Sequence, residues 1–199
     1  MTLQADILKA KLLSNWIGES VNGLEGQASL RCQLGGALLH LGLTHHASII
    51  RLIEEKHYAS AFALLRPLIE TFLRHHWVMH LASDAKVEGF SQGDDPDLSS
   101  LKIIDKLESE GILTEGNVSA LVKPVWATFC DFTHSGGKII SCHLNGASIE
   151  PTFSQSEIQN VLKISCGWAI LISCSLADWA GNNFLGQKML ERSQQFYAH

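Results

Sequence analysis

Apolar residues recur at three- and four-residue spacing along most of the 199-residue chain, a pattern typical of amphipathic helices. Residues 3–24 carry one such stripe, consisting of Leu3, Ile7, Ala10, Leu13, Ile17, Val21 and Leu24. Residues 28–55 continue the pattern, although Gly35, Gly36 and Gly42 each reduce helix propensity by about 1 kcal/mol relative to alanine. These glycines predict close helix packing or a kink; the alternative is two shorter helices that meet near Thr44.

The longest periodic segment covers residues 58–82, with Pro67 inside its first turns. A proline at this depth either kinks the helix or marks its true start. Residues 91–100 contain turn residues and three acids, which predicts a loop within one domain. Helices are expected over about 99–110, before Gly111, and over about 117–133, before the Gly136-Gly137 pair.

A second long connection is expected over residues 136–153, followed by the most apolar helix of the chain. Ser154 and Glu157 have the spacing of a capping box, which predicts a helix start there and continuation to about Gly181. Both faces of this helix are apolar. Such a helix belongs at the centre of a bundle or at a subunit interface.

These patterns predict a single all-α domain, a helical bundle of about six to eight helices spanning residues 1–199. Within it, residues 1–24 form an N-terminal helix, residues 25–182 form the core, and residues 183–199 form a C-terminal helical tail. The hydrophobic content of 46% excludes intrinsic disorder, because the chain can bury a substantial core.

Charge and cysteine content restrict the function classes. The net charge of −5 argues against a strongly cationic nucleic-acid binder, although it allows a local basic patch. Five cysteines without framework spacing fit a reducing compartment, so we expect a cytoplasmic protein. The most apolar run, 14 uncharged residues between Lys163 and Asp178, is shorter than the about 20 that a membrane span needs, so no membrane association is expected.

A charged ridge on the helix of residues 58–82 is the first candidate site. Arg66, Glu70 and Arg74 are spaced four apart and therefore lie on one side of that helix. The ridge is either an ion-pair ladder on a solvated face or a pair of arginines held by one carboxylate. In the second case the spare guanidinium donors bind a phosphate.

The segment from Asp131 to Gly137 is the second candidate, because His134 ends a helix beside Thr133 and is followed by glycines that allow close approach of a ligand. His134 is either a simple helix cap or a functional imidazole. Two weaker groups have the residue types of metal ligands, namely His76, His80 and Asp84 on one helix, and Cys130, His134, Cys142 and His143. Neither has a recognised zinc spacing, so no metal and no cofactor is predicted.

Two segments carry a resemblance to a known family: residues 63–70 with the following Arg74, and residues 132–137. The Arg-x3-Glu helix and the Thr-His-x-Gly loop resemble an uncharacterised bacterial family of HEPN-like helical proteins over roughly residues 25–182. HEPN domains are generally dimeric, and many are metal-independent ribonucleases of toxin–antitoxin, phage-defence or CRISPR systems. Their signature is an arginine separated from a histidine by four to six residues, and five residues separate Arg74 from His80.

The resemblance implies cleavage of RNA by transesterification, in which a histidine removes the proton of a 2′-hydroxyl. His134 or His80 would be the acid/base group, and Glu70 would orient the arginines. Phosphate binding is assigned to Arg66, Arg74, Thr133 and Gly136. The implied partners are a second copy of the chain, RNA or a nucleotide, and an antitoxin protein, with a role in defence or stress response. The alternative is a non-enzymatic interaction or anion-binding module in which the Arg/Glu ridge is structural.

Overall fold

A computed structural model describes residues 2–197, without the side chains of residues 195 and 197, and shows an all-α fold. Its helices are α1 (Leu3–Val21), α2 (Leu30–Glu54), α3 (Tyr58–Ala63), α4 (Leu65–His76), α5 (Asp84–Ser91), α6 (Ser100–Ser109), α7 (Asn117–Val122), α8 (Trp126–Thr133), α9 (Gly137–Ser141), α10 (Gln155–Trp179) and α11 (Asn183–Tyr197). A π-helical turn, Trp77–Leu81, extends α4. The predicted fold class is confirmed.

The long helices α2, α4 and α10 form the centre of the bundle, and α1 and α11 lie against α10. The helix α2 is continuous past Thr44, so the alternative of two shorter helices is wrong. Its glycines allow side chains of neighbouring helices to pack closely against it. A β-carbon built at Gly42 would lie 2.6 Å from both Ile172 and Thr71, and one at Gly36 would lie 2.6 Å from the Trp179 ring.

The described α-helices outnumber the six to eight expected, because two predicted helices are divided near prolines and because α5 and α9 lie in segments where no helix was predicted. The predicted helix over residues 58–82 is interrupted at Leu64, and Pro67 lies in the first turn of α4, so the proline marks the true start of the second part. The predicted helix over residues 117–133 is divided into α7 and α8 near Pro124. The loop over residues 92–99 and the helix ends at Gly111 and Thr133 agree with the prediction.

The expected connection over residues 136–153 contains regular structure of its own. It begins with the short helix α9 and continues with a hairpin of two-residue strands, β1 (Leu144–Asn145) and β2 (Ser148–Ile149). The strands are antiparallel, and Leu144 pairs with Ile149. Both strands are exposed, so the hairpin adds little to the core.

The helix α10 starts with the predicted capping box between Ser154 and Glu157 and occupies the centre of the bundle. Among the described residues it is the one helix whose length and apolar composition would suit a membrane span, but 61% of that apolar window is buried inside the fold. Part of its remaining apolar surface, including Leu171, lines a groove of about 510 Å³. Leu121 and Leu190 also line this groove.

Candidate functional site

The charged ridge of α4 is organised around the carboxylate of Glu70. Arg66 donates from Nε to Glu70 Oε1 at 3.0 Å, and Ser100 Oγ of α6 donates to the same oxygen at 3.1 Å. Arg74 Nη2 lies 4.0 Å from Glu70 Oε2, which is an ion-pair distance but too long for a hydrogen bond. The Glu70 side chain is 17% exposed. One carboxylate therefore holds Arg66 tightly and Arg74 loosely.

The second bond of Arg66 joins α4 to the end of α8. Its Nη1 lies 2.5 Å from Nε2 of His134, an exposed residue that follows the last turn of α8. A guanidinium can only donate, so Nε2 accepts and this imidazole is neutral, with its proton on Nδ1. The structure thus brings together the two candidate sites, which lie 68 residues apart in the chain.

Pro67 explains why the end of α8 reaches this position. Proline has no N–H, so it cannot bond to the carbonyl four residues earlier, which belongs to Ala63. Thr133 Oγ donates to that Ala63 carbonyl at 3.1 Å, and also to Phe129 O at 2.9 Å. The bond attaches α8 to the junction of α3 and α4 and places His134 beside Arg66.

The hydrogen-bond donors of Thr133 and Gly136, two predicted phosphate-binding residues, are already used within the chain. The hydroxyl proton of Thr133 is used by backbone carbonyls, and Gly136 N–H donates to Asp131 O at 2.8 Å. A β-carbon at Gly136 would lie 2.2 Å from Asp131 Oδ2, whose carboxylate accepts from the N–H groups of Lys138 and Ile139 at the start of α9. These contacts fix the conformation of the loop from Asp131 to Gly137.

Trp126, in the first turn of α8, completes the environment of Arg66. The guanidinium carbon lies 5.4 Å from the centre of the indole ring, within the range of a cation–π contact. We call Arg66, Glu70, Arg74, Trp126 and His134 the Arg66 cluster. Trp126 was not among the site residues predicted from the sequence. Its spacing of eight residues from His134 is nevertheless a helical spacing that puts both residues on one side of α8.

Arg74 is the more accessible arginine of the cluster, with 36% of its side chain exposed. Its other acidic neighbour is Asp95, at 3.9 Å and itself 92% exposed, in the loop between α5 and α6. Both carboxylate contacts are longer than hydrogen bonds, so the Arg74 donors remain directed mainly at solvent.

His80 lies in a different environment and does not join the Arg66 cluster. It is in the π-helical turn, where its ring stacks on His76 at 5.7 Å. Burial and the positive charge of Arg31 lower the pKa of His80, while Asp178 opposes that shift. Arg74 and His80 have the spacing of the HEPN signature, but among residues 2–197 the ionic contacts of Arg74 are with Glu70 and Asp95.

We call His75, His76 and His80 the histidine cluster. Nδ1 of His75 contacts Gly35 O at 3.0 Å, and His75 is 4% exposed. Burial lowers the pKa of His75 to about 4 and that of His76 to about 3, so both imidazoles are neutral at pH 7. Within residues 2–197, no three His, Cys, Asp or Glu side chains are grouped so as to hold a metal ion.

A family model matches residues 39–199, which is more than half of the chain. The chain belongs to DUF6988, a family of unknown function. The DUF6988 region contains the whole Arg66 cluster and the histidine cluster, whereas α1 precedes it. No curated protein and no solved structure matches the chain.

Proposed function

We propose that the Arg66 cluster binds a phosphodiester of RNA and that the protein is a HEPN-like, metal-independent endoribonuclease in which His134 removes the 2′-hydroxyl proton. The observation that carries the proposal is the Arg66 guanidinium, which contacts a fixed carboxylate on one side and an exposed, neutral imidazole on the other. This contact supports the proposal, because a guanidinium can bind a phosphate and an accessible imidazole can act as a general base.

Arg66 has donors available for the phosphate. Two of its five N–H groups are used by Glu70 and His134, and no other acceptor contacts it among residues 2–197. Its side chain is 23% exposed, and Trp126 and Glu70 hold the guanidinium in one orientation. Arg74 adds a second positive charge on the same side of α4.

Phosphate binding also prepares His134 for catalysis. The Nε2 lone pair of His134 accepts a bond from Arg66 in the free protein. A bound phosphate oxygen competes for that Arg66 donor, because hydrogen bonds between ionised groups are stronger than those to a neutral imidazole. The lone pair is then released at the moment when substrate is present.

The reaction that follows is a transesterification. His134 Nε2 takes the proton of the 2′-hydroxyl, the 2′-oxygen forms a bond to phosphorus, and the bond from phosphorus to the 5′-oxygen breaks. The leaving oxygen takes a proton from water. Arg66 and Arg74 offset the charge that develops on the phosphoryl oxygens. The products carry a 2′,3′-cyclic phosphate and a 5′-hydroxyl.

The proposal assigns His80 no part in the reaction. It makes the Arg66 cluster complete within one chain, so a homodimer is not required for catalysis. Dimerisation, a cytoplasmic location, an antitoxin partner and a role in defence or stress response remain predictions from the sequence.

The test is incubation of total RNA with the protein in excess EDTA, followed by identification of the new termini. We expect His134→Ala to lower the cleavage rate by at least about 100-fold, the lower limit for general acid–base catalysis. Arg66→Ala should cause a loss of similar size. His80→Ala and the exposed control His57→Ala should cleave like the unaltered protein.

Equal cleavage by all five proteins would indicate a contaminating nuclease and refute the enzymatic proposal. RNA binding that is lost in Arg66→Ala, without cleavage by any protein, would instead support the non-enzymatic anion-binding module.

A further inference from the structure

A second cavity lies between α1 and α2. Ser14 and Val21 of α1 line it together with Ala47 and His40 of α2, so the two helices run in opposite directions along its length. The cavity, which we call the α1–α2 groove, has a volume of about 430 Å³. This volume is within the range of small-molecule sites in proteins.

The lining of the α1–α2 groove is uncharged. Apolar contacts come from Ile17, Val21 and Leu43, and polar groups come from side chains such as Ser14 and Asn22. No Asp, Glu, Lys or Arg is among the lining residues within the described part of the chain. A ligand with a net charge would find no opposite charge here, so the lining favours an uncharged molecule.

His46 also lines this groove and is the least exposed of its polar residues, at 1%. Its Nδ1 lies 2.6 Å from Oγ of Ser165 in α10. Its Nε2 is buried and has no hydrogen-bond partner among residues 2–197. A buried polar atom without a partner costs free energy, which a ligand that supplies the missing bond would recover.

The His46–Ser165 pair does not have the accessibility of a catalytic nucleophile and base. Ser165 is buried on α10 and, unlike His46, does not line the groove, so a ligand in the groove does not contact its hydroxyl. Burial lowers the pKa of His46 to about 4, which keeps the imidazole neutral near pH 7. The pair therefore fixes the His46 ring and leaves Nε2 for recognition.

We propose that the α1–α2 groove binds an uncharged small molecule with an apolar body and one hydroxyl or amide group that pairs with His46 Nε2. A hydroxyl both donates and accepts, so it can form a hydrogen bond with Nε2 in either tautomer of His46. This site is separate from the Arg66 cluster and does not depend on its function.

Gly18 offers a way to fill the groove without disturbing the fold. It lies on α1 in the groove lining, and a β-carbon built there has no heavy atom within 4 Å. A leucine at this position would occupy the groove, and its helix propensity is higher than that of glycine. The neighbouring Glu19 is exposed and is not part of the lining, so Glu19→Leu is the matched control.

The experiment is a titration of ¹⁵N-histidine-labelled protein with phenol, and in parallel with toluene, followed by NMR of the imidazole nitrogens. Phenol has an apolar ring with one hydroxyl, and toluene has a similar shape without it. We expect phenol to shift the His46 Nε2 resonance and to bind at least ten times more tightly than toluene. Gly18→Leu should weaken phenol binding at least tenfold, and Glu19→Leu should leave it unchanged.

Three results would overturn the proposal. Equal affinity for phenol and toluene would show that the groove selects only for apolar shape. A His46 Nε2 resonance that does not move at saturating phenol would exclude pairing with this atom. Phenol binding by Gly18→Leu at the unaltered affinity would place the ligand elsewhere. None of these results depends on RNA cleavage, so they do not bear on the Arg66 cluster.

Discussion

Arginine and histidine side chains make contacts both at the beginning of α4 and around its end, but the two regions differ in how far these side chains are buried. Near the beginning, Arg66 contacts the exposed His134 and keeps unused donors. Near the end, His75 is 4% exposed and contacts a backbone carbonyl, and burial lowers the pKa of its imidazole to about 4. Residue type alone does not distinguish these regions, whereas burial does.

The difference assigns separate roles to the two regions. Reaction with a substrate requires an accessible imidazole, and His134 meets that requirement. The histidine cluster packs against α2 and follows α4 into the π-helical turn, where Arg31 donates to the Val78 carbonyl. We infer a structural role for this cluster, and the following predictions test that division.

The largest expected effect comes from exchanging the two kinds of histidine for asparagine. His134→Asn should lower RNA cleavage by at least about 100-fold, because the general base is lost. Its free energy of unfolding should change by less than about 0.5 kcal/mol, because the side chain is exposed. Cleavage assays and urea unfolding of the same preparations measure both quantities.

His75→Asn is the counterpart, and its folded protein should cleave RNA at the unaltered rate. A 100-fold loss of cleavage in folded His75→Asn would contradict the division between the two regions.

The pH dependence of stability should report the histidine cluster. The pKa of His75 is about 4 when folded and about 6.5 when unfolded, so the unfolded chain binds more protons between these values. Stability is therefore fully present above about pH 6.5 and is lost as the pH falls toward 4. Between pH 7 and pH 5 the loss should be about 2 kcal/mol for this histidine.

Urea unfolding at a series of pH values measures this dependence. His75→Asn should flatten it, since it removes one group that protonates on unfolding. A slope that does not change in His75→Asn would show that this imidazole already titrates normally in the folded protein.

Substitution of two glycines by alanine should have effects of opposite sign. A β-carbon at Gly35 would lie 2.7 Å from Met79 Sδ and 3.2 Å from His75 Nδ1. We expect Gly35→Ala to lower the free energy of unfolding by about 1 kcal/mol, because displacement of these groups exceeds the gain in helix propensity. Gly18→Ala should raise it by about 0.5–1 kcal/mol, because nothing opposes the gain there.

Thermal and urea unfolding compare these two variants directly. A stabilised Gly35→Ala would mean that Met79 and His75 adjust without cost and that packing around the histidine cluster is loose.

The smallest effect is expected at the exposed edge of the Arg66 cluster. Asp95 is 92% exposed and lies 3.9 Å from Arg74, so Asp95→Ala should change stability by less than about 0.5 kcal/mol. The substitution removes a negative charge near the proposed phosphate site and should tighten RNA binding slightly, most clearly at low salt. Weaker RNA binding by Asp95→Ala would contradict the position of Arg74 in that site.

Much of the fold was predictable because helical periodicity and capping are local properties. The capping box at Ser154, the helix end at Gly111 and the start at Pro67 follow from a few neighbouring residues. The continuity of α2 was not decidable in the same way. Gly42 lowers helix propensity locally, and its contact with Ile172 and Thr71 depends on helices from distant parts of the chain.

Helical spacing predicted several residues of the candidate site, but it did not predict the contacts between residues of different helices. Arg66, Glu70 and Arg74 follow from helical spacing, whereas the contact between Arg66 and His134 depends on how α8 packs against α3 and α4. Ser100 gave no local signal at all. His80 satisfied a motif spacing, yet the π-helical turn and the stacking on His76 place it in the histidine cluster.

The most direct test of the central claim is NMR of the His134 imidazole during titration with an RNA oligonucleotide whose 2′-hydroxyls are methylated, so that it binds without being cleaved. The account predicts that the His134 Nε2 resonance shifts as Arg66 turns to the phosphate, while His75 and His76 remain unchanged. Saturation binding of the oligonucleotide with no change at His134 would contradict it.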